Sequence, residues 1–255
     1  MIKLIDFFKF HYRLLLQIFL DQLLHENLDI PGARLRKRVH GSFCPKTYLK
    51  VGERVFKDLV NLSELEFNAN KNILDFGCGS GRVISNFLRE GIFVHGTDID
   101  EKAIRYCRRI FPQGNWEVNQ WVPPLVYKSN FFDFIYSVSV FSHINEDLQK
   151  KWLKEISRIL KPDGLAIISV HGKNCFGNLD AEAICLLNEK GFYHKVGNKG
   201  FFKTDGLPDD YQTSYQTPEY INCEWLSFFG YIDIHETGIG NHQDAVILRK
   251  PLLNH

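Results

Sequence analysis

The segment Asn72 to Arg82, NILDFGCGSGR, sets an acid, Asp75, two residues before the first of three alternate glycines, Gly77, Gly79 and Gly81. Alternate glycines let a backbone turn tightly from a strand into a helix and lie against a ligand with no Cβ between them. The chemistry this suits is the holding of a nucleotide-type ligand. A dinucleotide fingerprint has the spacing Gly-x-Gly-x-x-Gly and leaves a helix N-terminus for a pyrophosphate, which an acid beside the turn would repel. The spacing Asp-x-Gly-x-Gly-x-Gly suits instead a ligand that carries an ammonium and a sulfonium. Taken alone, a glycine-rich turn can also be only a tight connection.

Asp98 adds a second anchor. It ends the apolar run GIFVHGTD, 23 residues after Asp75, and a carboxylate at the carboxyl end of a second strand can accept both hydroxyls of a ribose. Asp100 stands where an N-cap belongs, ahead of EKAIRYCRRIF. Ligands of open parallel sheets bind outside the carboxyl ends of the strands, which brings His143, His171 and His242 to one edge. A histidine near its ordinary pKa is a suitable general base for an acceptor hydroxyl. The placement favours His171 and His242, with Gln243 and Asp244 orienting His242 or binding polar groups of the substrate, and leaves His143 evenly balanced with a structural role.

The stretch from Asp75 to Gly81 closely resembles motif I of class I S-adenosylmethionine-dependent methyltransferases. The resemblance covers about residues 30 to 250 and is strongest in motif I, in SVSVFSHINEDLQKKWLKEISRILKPDG and in the ending HQDAVILRK. It implies S-adenosylmethionine as cofactor, held by Asp75, Gly77, Cys78, Gly79, Gly81 and Ser137. Asp98 takes the ribose, Ile99 packs on the adenine, and Asn119 and Gln120, followed by Trp121, flank the adenine edge. The family often carries an acid where this chain has Asn119. Residues 30–62, with the basic cluster Arg34, Arg36, Lys37 and Arg38, resemble a segment that helps cover the cofactor in bacterial small-molecule methyltransferases. The Pro123-Pro124 pair precedes strand four instead of ending it, which disfavours an amino-methyltransferase of nucleic-acid bases.

The elements that must position these residues follow from pattern. At 255 residues and 44% hydrophobic content the chain can bury a full core. Alternating strand and helix patterns imply a parallel sheet with right-handed crossovers, while DAVILRK must return antiparallel after YIDIHET. The resemblance implies a Rossmann-like α/β fold: a seven-stranded sheet in the order 3-2-1-4-5-7-6, strand 7 antiparallel, with helices on both faces. Residues 1–65 form a helical cap and 66–255 the cofactor-binding domain. An insertion at 172–216, expected to hold a short helix and otherwise little regular structure, serves as a lid over the acceptor. Lys161 to Gly164 reads as a turn and 217–229 as a helix.

The net charge of +1 is interspersed, so no broad footprint for nucleic acid is expected, and a small-molecule acceptor is favoured. Six cysteines without a C-x-x-C pair or metal-ligand cluster point to free thiols in a reducing cytoplasm, and no metal is expected. The apolar N-terminus is interrupted by Asp6, Lys9, Arg13 and Asp21 and lacks a signal-peptide pattern. It reads as an amphipathic helix, for core or dimer packing ahead of contact with a membrane surface. The expected reaction is O-methylation of a sugar, glycan precursor or secondary metabolite. Alternatives are a methyltransferase of protein or rRNA, and a catalytically inactive cofactor-binding interaction module.

Overall fold

A computed structural model of the chain describes residues 2–24, 30–195 and 211–252. Three helices lead in: α1 (Ile2–Leu24), α2 (Ala33–His40) and α3 (Pro45–Ser63). There follow β1 (Ile73–Phe76), α4 (Ile84–Arg89), β2 (Val94–Asp98), α5 (Glu101–Ile110), β3 (Asn115–Val118), β4 (Phe132–Ser137), α6 (Glu146–Ile159) and β5 (Leu160–Val170). After a 3-10 turn at Lys173–Asn178 come α7 (Ala181–Lys190), β6 (Phe192–Lys195), β7 (Thr213–Gln216), α8 (Pro218–Glu224), β8 (Tyr231–Ile239) and β9 (Gln243–Arg249).

The main sheet has seven strands in the order β3-β2-β1-β4-β5-β9-β8. This is the expected 3-2-1-4-5-7-6 arrangement. β1 pairs in parallel with both β2 and β4, and β9 runs antiparallel between β5 and β8. The central strands carry near-continuous apolar runs because both of their faces are covered. On one face Phe76, Trp152, Ile156 and Trp225 share a core; on the other Val55, Leu59, Phe87 and Tyr136 share a second. Short caps aim the helices: Asp100 accepts the amides of Lys102 and Ala103 for α5, and Asn145 accepts that of Leu148 for α6.

Several local expectations are corrected. Lys161 to Gly164 are not a free turn between elements but an excursion within β5, since Phe132 pairs with Leu160 while Phe134 pairs with Leu165. The helix expected over 217–229 ends at Glu224, and the turns after it bury Trp225 and Phe229. The insertion is more regular than its Gly- and Asp-rich composition suggests: its two arms, β6 and β7, zip into an antiparallel pair from Phe192–Gln216 to Lys195–Thr213. The tip of the expected lid, residues 196–210, lies outside the described residues.

The basic cluster is also more structural than its composition suggests. Arg36 is buried, paired with Asp21 of α1 at 2.7 Å and bonded to the carbonyls of Phe43 and Pro31, so it ties α1 to α2. Arg38 pairs with Asp100, which ties α2 to the start of α5. α1 buries Leu14 but leaves Tyr12, Leu15 and Phe19 exposed. Among the described residues no helix is long and apolar enough to cross a membrane.

Candidate cofactor and acceptor site

The parallel strands β1, β2 and β4 and the turns after them frame one cavity of about 690 Å³ at their carboxyl ends, the size of a small-ligand site. Gly77 and Gly79 adopt φ of +84° and +53°, a region that side chains with a Cβ avoid. A Cβ on Gly77 would run into Val140, and one on Gly79 would stand 3.3 Å from Val39 of α2. The loop therefore threads between two protein walls as well as lining the cavity. The amides of Gly77 and Cys78 donate to the Thr97 carbonyl at 2.8 and 2.9 Å, which fastens the loop to β2.

Two acids sit in this half. Asp75 is 3% exposed and accepts a hydrogen bond from the Tyr136 hydroxyl at 2.9 Å. Burial pushes its carboxyl up to about 8, against the Tyr136 bond, which pulls it down. Asp98 accepts the amide of Gly79 on one oxygen and that of Asp100 on the other, both at 2.8 Å, and burial holds it at about 6. Each oxygen retains a lone pair for a further donor. Asn119 donates to the Gln120 carbonyl, while its buried Oδ1 has no partner among the described residues.

The N-terminal segment closes the cavity. Arg38, Val39, His40 and Gly41 line it opposite the glycine loop. Arg82, directly after the loop, donates from its guanidinium to His40 Nδ1. Because that nitrogen accepts, the proton of the neutral ring sits on Nε2, which is buried and without a partner among the described residues. Burial, with the charges of Arg82 and Lys37 behind it, lowers His40 to about 4, so the ring is neutral at pH 7.

The other side of the cavity, the candidate acceptor half, is lined by His143, Trp121 and Tyr211 to Thr213. His143 Nδ1 donates to the Gln212 carbonyl at 2.8 Å, which leaves the lone pair on Nε2, and burial lowers its pKa below 6.5. Tyr211 stacks on the imidazole at 4.8 Å and donates to the Ser139 carbonyl at 3.0 Å. The returning arm of the insertion is thus fastened to the segment after β4 by His143, through its backbone and ring, and by the carbonyls of Ser139 and Ser142.

Of the residues singled out in the sequence, Arg38, Asp75, Gly77, Cys78, Gly79, Asp98, Ile99, Asp100, Asn119, Trp121 and His143 line this cavity. The others do not. Ser137 is fully buried and donates to the Phe76 carbonyl at 3.0 Å, binding β4 to β1. Gly81 backs onto Phe111 and Cys107. Gln120 lies in an adjoining groove with Ile99, Glu101 and Arg108.

Of the three histidines, the structure places His143 on this cavity and His171 and His242 off it. The Ser139 amide donates to Ser169 Oγ, Ser169 to Gln243 Oε1, and Gln243 Nε2 then donates to His171 Nε2 at 3.1 Å. Its Nδ1 faces the Ser214 carbonyl at 3.2 Å. The lone pair a base would use is capped. Gln243, expected to orient His242, orients His171, and Asp244 accepts the amide of Thr237. His242 is exposed, and its Nε2 lies 4.0 Å from Cys175 Sγ. His171, Cys175 and His242 form a cluster of potential metal ligands, which the cysteine spacing gave no sign of. Sequence reasoning also missed His40, Arg82 and Tyr211; only Arg82, adjoining the glycine loop, carried a positional signal.

A family profile described as a methyltransferase domain matches residues 48–222. A tRNA (carboxymethyluridine(34)-5-O)-methyltransferase from Arabidopsis thaliana is 32% identical over 99 residues, 38% of this chain and 23% of that protein. A tRNA N(3)-methylcytidine methyltransferase from Schizosaccharomyces pombe is 24% identical, over 59% of this chain and 52% of that protein. A ubiquinone biosynthesis O-methyltransferase from Coxiella burnetii is 25% identical, over 41% and 45%. The chain spans about half or less of the length of these relatives. Among solved structures, a SAM-dependent methyltransferase from Methanosarcina mazei aligns with a TM-score of 0.55 at 20% identity, covering 76% of this chain and 97% of that one. A Haemonchus contortus phosphoethanolamine N-methyltransferase, solved with phosphomonomethylethanolamine and S-adenosylhomocysteine, aligns at 0.56 and 16% identity, covering 91% and 60%.

Proposed function

The chain belongs to the methyltransferase domain family, and from that membership we propose that it transfers a methyl group from S-adenosylmethionine to a hydroxyl of a small molecule such as a sugar, glycan precursor or secondary metabolite. When bound, S-adenosylmethionine supplies a methyl carbon that an acceptor oxygen attacks with a lone pair while the electrons of the breaking C–S bond stay on sulfur. The residues fit it. The observation that carries the reading is that Asn119 and His40, two residues lining the same cavity as Asp98 and the glycine loop, each hold a buried polar atom, Oδ1 and Nε2, with no hydrogen-bond partner among the described residues.

Asn119 Oδ1 accepts from an adenine amine, Asp98 from the ribose hydroxyls, and Arg82 with His40 Nε2–H faces the carboxylate of the methionine end. Asp75, kept protonated by burial, becomes the carboxylate partner of the cationic end. Ile99 packs on the adenine. The cap from α2 and the returning arm of the insertion exclude water, which leaves alignment as the main task of the protein. His143 Nε2 takes the proton of the acceptor hydroxyl, and Tyr211 holds the ring for it.

Two of the curated relatives are named as tRNA methyltransferases, which supports a nucleoside in RNA as a second acceptor class. The interspersed charge and the covered cavity favour the small molecule. Calorimetric titration with S-adenosylhomocysteine tests the cofactor: micromolar affinity, about 8 kcal/mol, is expected. Asp98→Ala should weaken it at least about tenfold by removing charge-assisted bonds. Unchanged affinity in that variant would overturn the assignment.

A further inference from the structure

Next to the cavity, beyond His143, three side chains of metal-binding type converge from three places in the fold. His171 follows the end of β5, Cys175 sits in the 3-10 turn after it, and His242 stands in the tight β8–β9 connection. One donor atom from each lies within 4.8 Å of the others. The sequence separates His171 from His242 by the whole insertion, the last helix and β8, so their meeting is a product of the fold: β9 pairs antiparallel with β5 and brings Asp244 back beside Val170.

We propose that His171, Cys175 and His242 form a site for a divalent transition metal of the Zn²⁺ type, beside the acceptor half of the cavity. One thiolate and two imidazoles make a soft-to-borderline donor set of the kind that selects Zn²⁺ over Mg²⁺ or Ca²⁺, which take oxygen ligands. Bond lengths of about 2.0–2.3 Å place tetrahedral ligand atoms about 3.3–3.8 Å apart. The Cys175 Sγ to His242 Nε2 separation of 4.0 Å is within a small side-chain adjustment of that range. The surroundings supply the outer contacts such sites use: the Ser214 carbonyl holds His171 by its Nδ1, as backbone carbonyls hold metal-bound imidazoles, and Gln243 gives up the Nε2 lone pair to the ion. His242 is exposed, which provides the entry path.

Three protein ligands leave a fourth position open, as in catalytic zinc sites. His171 and His143 meet edge to face with centroids 5.7 Å apart, so the ion is one imidazole away from the proposed base. The open position therefore suits an oxygen or sulfur atom of an acceptor carrying a second donor group besides the one methylated. This last step rests on the acceptor placement proposed above; the metal site itself does not, and it is tested with no cofactor or acceptor present.

The test uses the full chain, freed of metal with a chelator, titrated with Zn²⁺ alone against a chromophoric competitor. One Zn²⁺ per chain is expected. Cys175→Ser and His242→Ala should each weaken it by more than the roughly 10- to 100-fold that loss of an outer contact costs, while Cys185→Ser, at an exposed thiol elsewhere, should leave it unchanged. Co²⁺ in place of Zn²⁺ should give a thiolate-to-metal absorption band that Cys175→Ser abolishes. Absence of saturable binding, or a stoichiometric affinity that survives both ligand variants, would overturn the proposal.

Discussion

The two halves of the cavity are built by different means. The cofactor half consists of short turns fixed to the sheet: the glycine loop hangs on the Thr97 carbonyl, and Asp98 is held by the Gly79 and Asp100 amides. Its shape is dictated by backbone conformation. The proposed acceptor half is assembled from parts far apart in sequence, His143 and the arm at Tyr211 to Thr213, joined by one ring stack and two reciprocal bonds between His143 and Gln212. Rigid local geometry suits a cofactor shared by a whole family, and a separable arm suits an acceptor that differs between members.

The largest effect is expected where backbone alone decides. Gly79→Val puts a β-branched side chain at φ +53° against Val39, and calorimetry should detect no binding of S-adenosylhomocysteine while circular dichroism shows the fold intact. Normal binding by this variant would mean that the loop does not define the cofactor half. In the acceptor half, His143→Ala should lower kcat by about 10² to 10⁴ with cofactor affinity unchanged. A loss of affinity instead would erase the division between the halves. Arg82→Gln, which removes the charge from the methionine end, should weaken cofactor binding about tenfold with little change in kcat at saturation.

A graded effect is one of pH. Burial raises the Asp75 pKa to about 8, so in the free protein at pH 7 the group is mostly protonated, and a cationic ligand favours its ionised form. Raising the pH from 6 towards 8 removes that proton beforehand and should tighten S-adenosylhomocysteine, by at most about tenfold per unit. Asp98, at about 6, acts in the same direction. Affinity that falls as the pH rises would contradict a charged contact at Asp75.

Legibility in the sequence follows the same division. Asp75, Gly77, Gly79 and Asp98 are readable because their spacing is set by one strand, one turn and the next strand; the alternation of elements implies a parallel sheet, while its strand order is what the resemblance implies. The acceptor half is not local. Nothing in the spacing of Gln212 and His143 reveals that they bond, and the row of serines that caps His171 through Gln243 joins β4, β5 and β9. The bulge at Lys161 to Gly164 was hidden for a related reason: a Pro-Asp-Gly turn looks the same whether it ends a strand or interrupts one. Ser137 was carried over by resemblance, and its hydroxyl is spent on the Phe76 carbonyl.

A crystal structure of the protein soaked with S-adenosylhomocysteine tests the central claim most directly. The expected result is density along Gly77 to Gly79 with both ribose hydroxyls within hydrogen-bond distance of the Asp98 carboxylate. The adenine should lie between Ile99 and Asn119, and the sulfur should face the His143 side of the cavity. Density in another cleft, or a ribose turned away from Asp98 in a fully occupied cavity, would contradict the account.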